Sequence, residues 1–138
     1  MPQYWLIKSE PYKFSWNDLL RLKRDHWDGI RNYQARNNLK AMKVGDYCFF
    51  YHSNEGKEIV GICEVVKEFY PDPTDETGKW VVVDVVPVKA LPKFVTLAEI
   101  KATPALANIS LLKQMRLSVA PITPEEWQII LDMGQTTL

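Results

Sequence analysis

The sequence predicts an α+β fold in which helices pack on a mainly antiparallel, curled sheet. Three observations carry this. Strand-like and helix-like segments do not alternate along the chain, as the crossovers of a parallel sheet would require. The stretch from Tyr47 to Val88 holds three successive runs rich in β-branched and aromatic residues, separated by turn formers. The 138 residues contain no repeat, low-complexity tract or Ser/Gly linker, so residues 1–138 read as one domain with room for a core.

Tyr4 to Ile7 is a short apolar strand that runs into the polar turn Lys8-Ser9-Glu10-Pro11, where Pro11 keeps Glu10 extended. Ser15 and Asp18 have the spacing of a capping box. Trp16, Leu19 and Leu20 share a face, which predicts a helix over 16–24. His26-Trp27-Asp28-Gly29 breaks the pattern. A second helix is expected from Tyr33 to Met42, with Ala35, Leu39 and Met42 as its buried stripe. Arg36, Lys40 and Lys43 repeat that spacing about 100° further round, forming a basic stripe with Asn32 near its start.

Val44-Gly45-Asp46 turns into a strand from Tyr47 to His52, and Ile59 to Phe69 completes a hairpin after the Ser53 to Lys57 loop. An irregular loop, Tyr70 to Thr74, precedes a third strand from Trp80 to Val88. Short helical pieces broken by Pro104 are expected over 96–112, then a strand from Met115 to Val119. Thr123, Pro124 and Glu126 cap a last helix that Gly134 ends.

Hydrophobic residues make up 46% of the chain and charged residues 25%, the proportions of a folded globular protein rather than a disordered one. Five Trp, six Tyr and five Phe supply both core packing and stacking platforms. Trp5, Trp16 and Trp127 fall on core faces; Trp80 fits either role. No window approaches the roughly 20 apolar residues of a membrane span. The opening MPQYWLIKSEP lacks the pattern of a signal peptide, so a soluble intracellular protein is expected. Cys48 and Cys63 lie in apolar runs and read as reduced and buried. With two His at unrelated spacings they make no zinc pattern, and no metal or cofactor is expected. Gly-rich phosphate loops, HExxH and GxSxG are all missing, which argues against a metal- or nucleotide-dependent enzyme.

Net charge is zero, yet it is unevenly spread. Residues 8–43 carry a balance of +5 and residues 44–88 a balance of −6. A basic block opposite an acidic one suits a one-sided anion-binding surface.

The strings Tyr4-Trp5-Leu6-Ile7-Lys8-Ser9-Glu10-Pro11 and Trp27-Asp28-Gly29-Ile30-Arg31-Asn32-Tyr33-Gln34-Ala35-Arg36-Asn37 resemble the EVE domain. So do Gly45-Asp46, Phe49-Phe50-Tyr51-His52-Ser53, Val60-Gly61-Ile62, Tyr70-Pro71-Asp72-Pro73-Thr74 and Arg116-Leu117-Ser118-Val119. They follow the family's order over nearly the whole chain. The resemblance implies a PUA-like fold, a small curled β-barrel with packed helices, and kinship with the YTH domains that hold a methylated adenine. It implies a reader of modified bases in DNA or RNA, nuclear in a eukaryote and cytoplasmic in a bacterium.

A flipped or single-stranded base needs flat faces to stack on and fixed polar groups at its edge. Trp27 stands in a Gly-containing loop where an indole need not be core. Lys8, Ser9 and Glu10 lie where a strand leaves the sheet. Asn32 offers an amide and is equally suited to cap a helix. His52 and Ser53 end an aromatic strand, where a structural His is the commoner reading. These seven form the expected base pocket, and Arg31, Arg36, Lys40 and Lys43 the expected phosphate contacts, with a solvated face as the alternative. A hydrolase using Lys8, Ser9 and Glu10 is the rival reading, since a desolvated Lys can act as a base. Alternation along an extended segment argues against their convergence. A protein-interaction module using exposed aromatics is the third.

Overall fold

The computed structural model describes residues 2–138. In order, the elements are β1 (Tyr4–Ser9), α1 (Trp16–Leu22), β2 (Asp25–His26), α2 (Tyr33–Ala41), β3 (Tyr47–His52), β4 (Glu58–Pro71) and β5 (Val81–Thr96). Then come α3 (Leu97–Lys101), a 3-10 turn (Pro104–Leu106), α4 (Ser110–Lys113), β6 (Val119–Ile122) and α5 (Pro124–Met133).

The strands form one sheet in the order β2-β5-β4-β3-β1-β6. Only β1 and β3 run parallel, in the register Tyr4 to Tyr47 through Ser9 to His52; the other pairs are antiparallel. Several register shifts interrupt the long β4–β5 ribbon. Such bulges bend a strand and increase its twist, which curls the sheet. The sheet is not closed, so the expected curled, mainly antiparallel architecture stands without a complete barrel ring.

Alternation along the strands sends side chains to two cores. Trp5, Ile7, Cys48 and Phe50 face the core that α1 and α2 cover with Trp16, Leu19, Ala35, Leu39 and Met42. Leu6, Phe49 and Tyr51 face the other, covered by Ile100, Leu106, Ile109, Trp127 and Ile130. The two cysteines are free, buried and paired across β3 and β4. Asp46, almost fully buried, accepts from the Gln3 and Lys43 backbone N–H groups and from the Trp5 indole, pinning the turn before β3.

The capping boxes at Ser15/Asp18 and Thr123/Glu126 form as expected. α1 stops at Leu22, short of 24, because Lys23 adopts a left-handed conformation at φ 67°. β5 runs on to Thr96: Pro87 sits beside a register shift, and Pro92 lies in a stretch between Ala90 and Val95 without pairing. The strand expected from Met115 to Val119 begins instead at Val119. Leu117 N–H bonds back to Gln114 O in a turn, and pairing with β1 starts only at Val119. Among the described residues no helix is long and apolar enough to cross a membrane.

Candidate nucleic-acid interface

At the C-terminal end of β1 the chain opens a cleft of about 850 Å³, within the usual range for ligand sites. The parallel partner β3 ends beside it, and Ser53 N–H donates to Ser9 O at 2.9 Å. The 115–118 turn closes another side through Lys8 N–H donating to Ser118 O at 2.9 Å. The segment after β2 supplies Trp27, whose N–H donates to Val83 O at 2.8 Å.

Five of the seven residues expected in the pocket line this cleft: Lys8, Ser9, Glu10, Trp27 and Ser53. Lys8 Nζ donates to Met115 O at 2.8 Å, and burial lowers its pKa. The Ser9 hydroxyl donates to Phe14 O at 2.6 Å. Glu10 meets Lys13 at 3.5 Å, and a hydrogen bond from Tyr12 chiefly holds its carboxyl below the usual range. All three reach one cleft because β1 ends at Ser9 and the chain then turns.

Trp27 differs from expectation. Its indole is only 7% exposed and belongs to the core, edge-on to Phe14 at 6.0 Å and to Phe50 at 5.4 Å. It is therefore a core ring that also forms part of the cleft wall. Asn32 and His52 do not line the cleft. Asn32 is the N-cap of α2, accepting from Ala35 N–H at 2.9 Å. His52 Nε2 accepts from Trp16 N–H at 3.1 Å, and burial lowers its pKa.

None of the four expected phosphate contacts lines the cleft either. Arg31 pairs with the buried Asp72 at 3.1 Å and reaches Thr74. Arg36 packs on Tyr33 and Trp80. Lys40 sits 5.8 Å from the Phe69 ring, and Lys43 is exposed.

The cleft also holds residues that sequence reasoning passed over. Arg116 lines it, exposed and without an ion pair among the described residues. The Arg116-Leu117-Ser118-Val119 string was its available signal. His26 lies between Asp28 at 3.2 Å and Asp25 at 3.5 Å, and all three line the cleft. Asp72 stands behind the wall with its side chain fully buried. It accepts from Gly29 N–H at 3.1 Å, from Arg31, and from both the backbone and the hydroxyl of Thr74. Those bonds clip the 27–31 segment to the loop after β4. Among the described residues no group of three or more His, Cys, Asp or Glu side chains could hold a metal ion.

Comparison with known proteins places this architecture. The EVE domain family matches residues 3–133. Mouse thymocyte nuclear protein 1 is 40% identical over 170 residues, covering 99% of this chain and 75% of that protein. A Rhodopseudomonas palustris protein solved by NMR superposes with a TM-score of 0.92 at 50% identity, covering 96% of this chain and 93% of its own. Human THYN1, solved in complex with 5-methylcytosine-containing DNA, superposes with a TM-score of 0.90 at 38% identity, covering 99% of each chain. A Zygosaccharomyces rouxii YTH domain in complex with N6-methyladenosine RNA shares the fold at a TM-score of 0.60 and 16% identity. With the family matched over nearly its whole length, the chain belongs to the EVE domain family.

Proposed function

We propose that this protein reads a modified base in DNA or RNA by taking the base, unpaired, into the cleft at the end of β1. The observation that carries the reading is one cleft holding the edge of a rigid aromatic nest, Trp27 on Phe14 and Phe50, together with an unpaired cation, Arg116. The aromatic wall suits a base, and Ser9, Ser53 and Ser118, which line the cleft, bring polar groups to its edge. Arg116 meets a phosphate at the mouth, and Arg31, Arg36, Lys40 and Lys43, which lie outside the cleft, meet further phosphates of the bound strand. The complex of human THYN1 with 5-methylcytosine-containing DNA supports the same choice of partner. The site of action follows the nucleic acid: the nucleus in a eukaryote, the cytoplasm in a bacterium.

Affinities for matched oligonucleotides carrying 5-methylcytosine, N6-methyladenine or unmodified bases test this. The expected result is tighter binding to one modified strand. Arg116→Ala should weaken binding to all strands and reduce the salt slope by about one charge. Equal affinity for modified and unmodified strands would overturn the reading.

One observation favours a second reading, a hydrolase: burial lowers the pKa of Lys8 within the cleft. Against it, Lys8 Nζ and Ser9 Oγ each donate to a backbone carbonyl, Glu10 faces Lys13, and none of the three is hydrogen-bonded to another. Mass spectrometry of a bound modified oligonucleotide separates the two, since a reader returns the base unaltered.

A further inference from the structure

Outside the cleft, one surface combines an exposed ring, Tyr33, with a half-buried one, Trp80, and with the cations Arg31 and Arg36. Tyr33, the first residue of α2, is 54% exposed. Its ring centroid lies 5.0 Å from that of Trp80. The Arg36 guanidinium packs on both rings, at 4.9 Å and 5.9 Å, and Arg31 lies 5.8 Å from Trp80. Arg36 Nε is buried yet finds no hydrogen-bond partner among the described residues. Exposed Lys79 and Lys40 flank the group in sequence and along α2.

We infer that the Tyr33–Trp80 pair, framed by Arg31 and Arg36, is a second nucleobase site that stacks a nucleotide neighbouring the one in the cleft. The inference rests on the reading that this chain binds nucleic acid. Its placement follows from the chain. Ile30 lines the cleft, and Tyr33 follows it by three residues, which span at most about 11 Å. A strand leaving the cleft over the 29–31 turn therefore meets Tyr33 within a nucleotide or two.

The chemistry fits a strand rather than an acidic peptide. Bases of any identity stack on flat rings, and Arg36 beside them adds a cation for the phosphate. Two of the three acids of the neighbouring loop are already engaged, and the third, Glu76, is exposed. Asp72 is neutralised by Arg31, and Asp75 accepts from the Thr77 backbone and hydroxyl and from Trp80 N–H. That last bond also fixes the backbone of the Trp80 ring.

The experiment compares the modified nucleoside alone with a five-nucleotide strand carrying the same base and with its unmodified counterpart. Each is titrated into wild type, Tyr33→Ala and Tyr33→Phe, with thermal unfolding followed for all three. Tyr33→Ala should lower affinity for both strands about 5- to 150-fold, as expected for loss of one base–aromatic stack. It should leave nucleoside affinity and the preference for the modified strand unchanged. Tyr33→Phe should restore strand affinity. Unchanged strand affinity in a folded Tyr33→Ala overturns the second site while leaving the reader intact. If wild type shows no preference for the modified strand, the reader fails instead, and the loss or retention of unmodified-strand affinity still judges the second site. Should Tyr33→Ala unfold, failure of folded Tyr33→His or Tyr33→Phe to keep strand affinity overturns it equally.

Discussion

An indole's role is set by its neighbours more than by its place in the chain. Trp27 stands in a Gly-containing break between helices, which suggests a ring free of the core. Phe14 and Phe50 instead hold it edge-on, both inherited from segments distant in sequence. No local pattern predicts that contact. Trp16 is the opposite case, legible from its helical face and buried as expected. Its ring lies over Gly61, where an added Cβ would stand 2.6 Å from the indole carbons. The rigid indole cannot retreat, because the same ring packs on Phe50. Gly61→Ala should therefore destabilise the fold by about 1–3 kcal/mol, the cost of overpacking, read as a lower midpoint in urea unfolding. A stability equal to wild type would show that the ring has space the structure denies it. Asn32 and His52 carry a related lesson. Both could serve a pocket or the backbone, and the backbone N–H groups of Ala35 and Trp16 claim them.

Elements with their own local signals were readable: three helices with capping side chains, the β3–β4 hairpin, and the buried stripe of α2. Those decided by partners were not. The two-residue β2 exists only through its pairing with Val85 and Asp84. The turn at 115–118 replaces an expected strand: Leu117 N–H bonds back to Gln114 O, and the residue-by-residue register with β1 begins at Val119. Loop order likewise comes from distant partners. The 27–31 segment, whose residues Trp27 to Ile30 line the cleft, is held by the Asp72 carboxylate from a loop more than forty positions along the chain. Hydrogen bonds to a charged acceptor contribute about 1.5–3 kcal/mol. Asp72→Ala should lower stability by an amount of that order, measured by urea unfolding, and weaken binding to the modified strand as well. Loss of stability with unchanged affinity would separate this loop from the site.

At the scale of the whole molecule, the sequence pattern conveyed the architecture and the partner class better than the site. Ordered strings from Tyr4 to Val119 identified the family, and residues 8–43 carry an excess of cations despite zero net charge. The cleft itself draws on β1, the end of β3, the segment after β2 and the 115–118 turn. Only the curl of the sheet brings them together, so Arg116, the exposed cleft cation without an ion pair among the described residues, was passed over in favour of the basic stripe expected at Arg36, Lys40 and Lys43. The central claim, that the base enters at the end of β1, is tested most directly by amide and indole chemical-shift changes in the labelled 16.0 kDa protein. A modified oligonucleotide is the titrant. The largest shifts are expected in the Trp27 indole and the backbone of 8–10, 27–30, 53–54 and 115–118, with the Trp80 indole moving as the second base stacks and the Trp127 indole nearly still. Shifts centred instead on Trp127 and the neighbouring Tyr4 and Tyr47, with residues 8–10 and 115–118 unmoved, would contradict it.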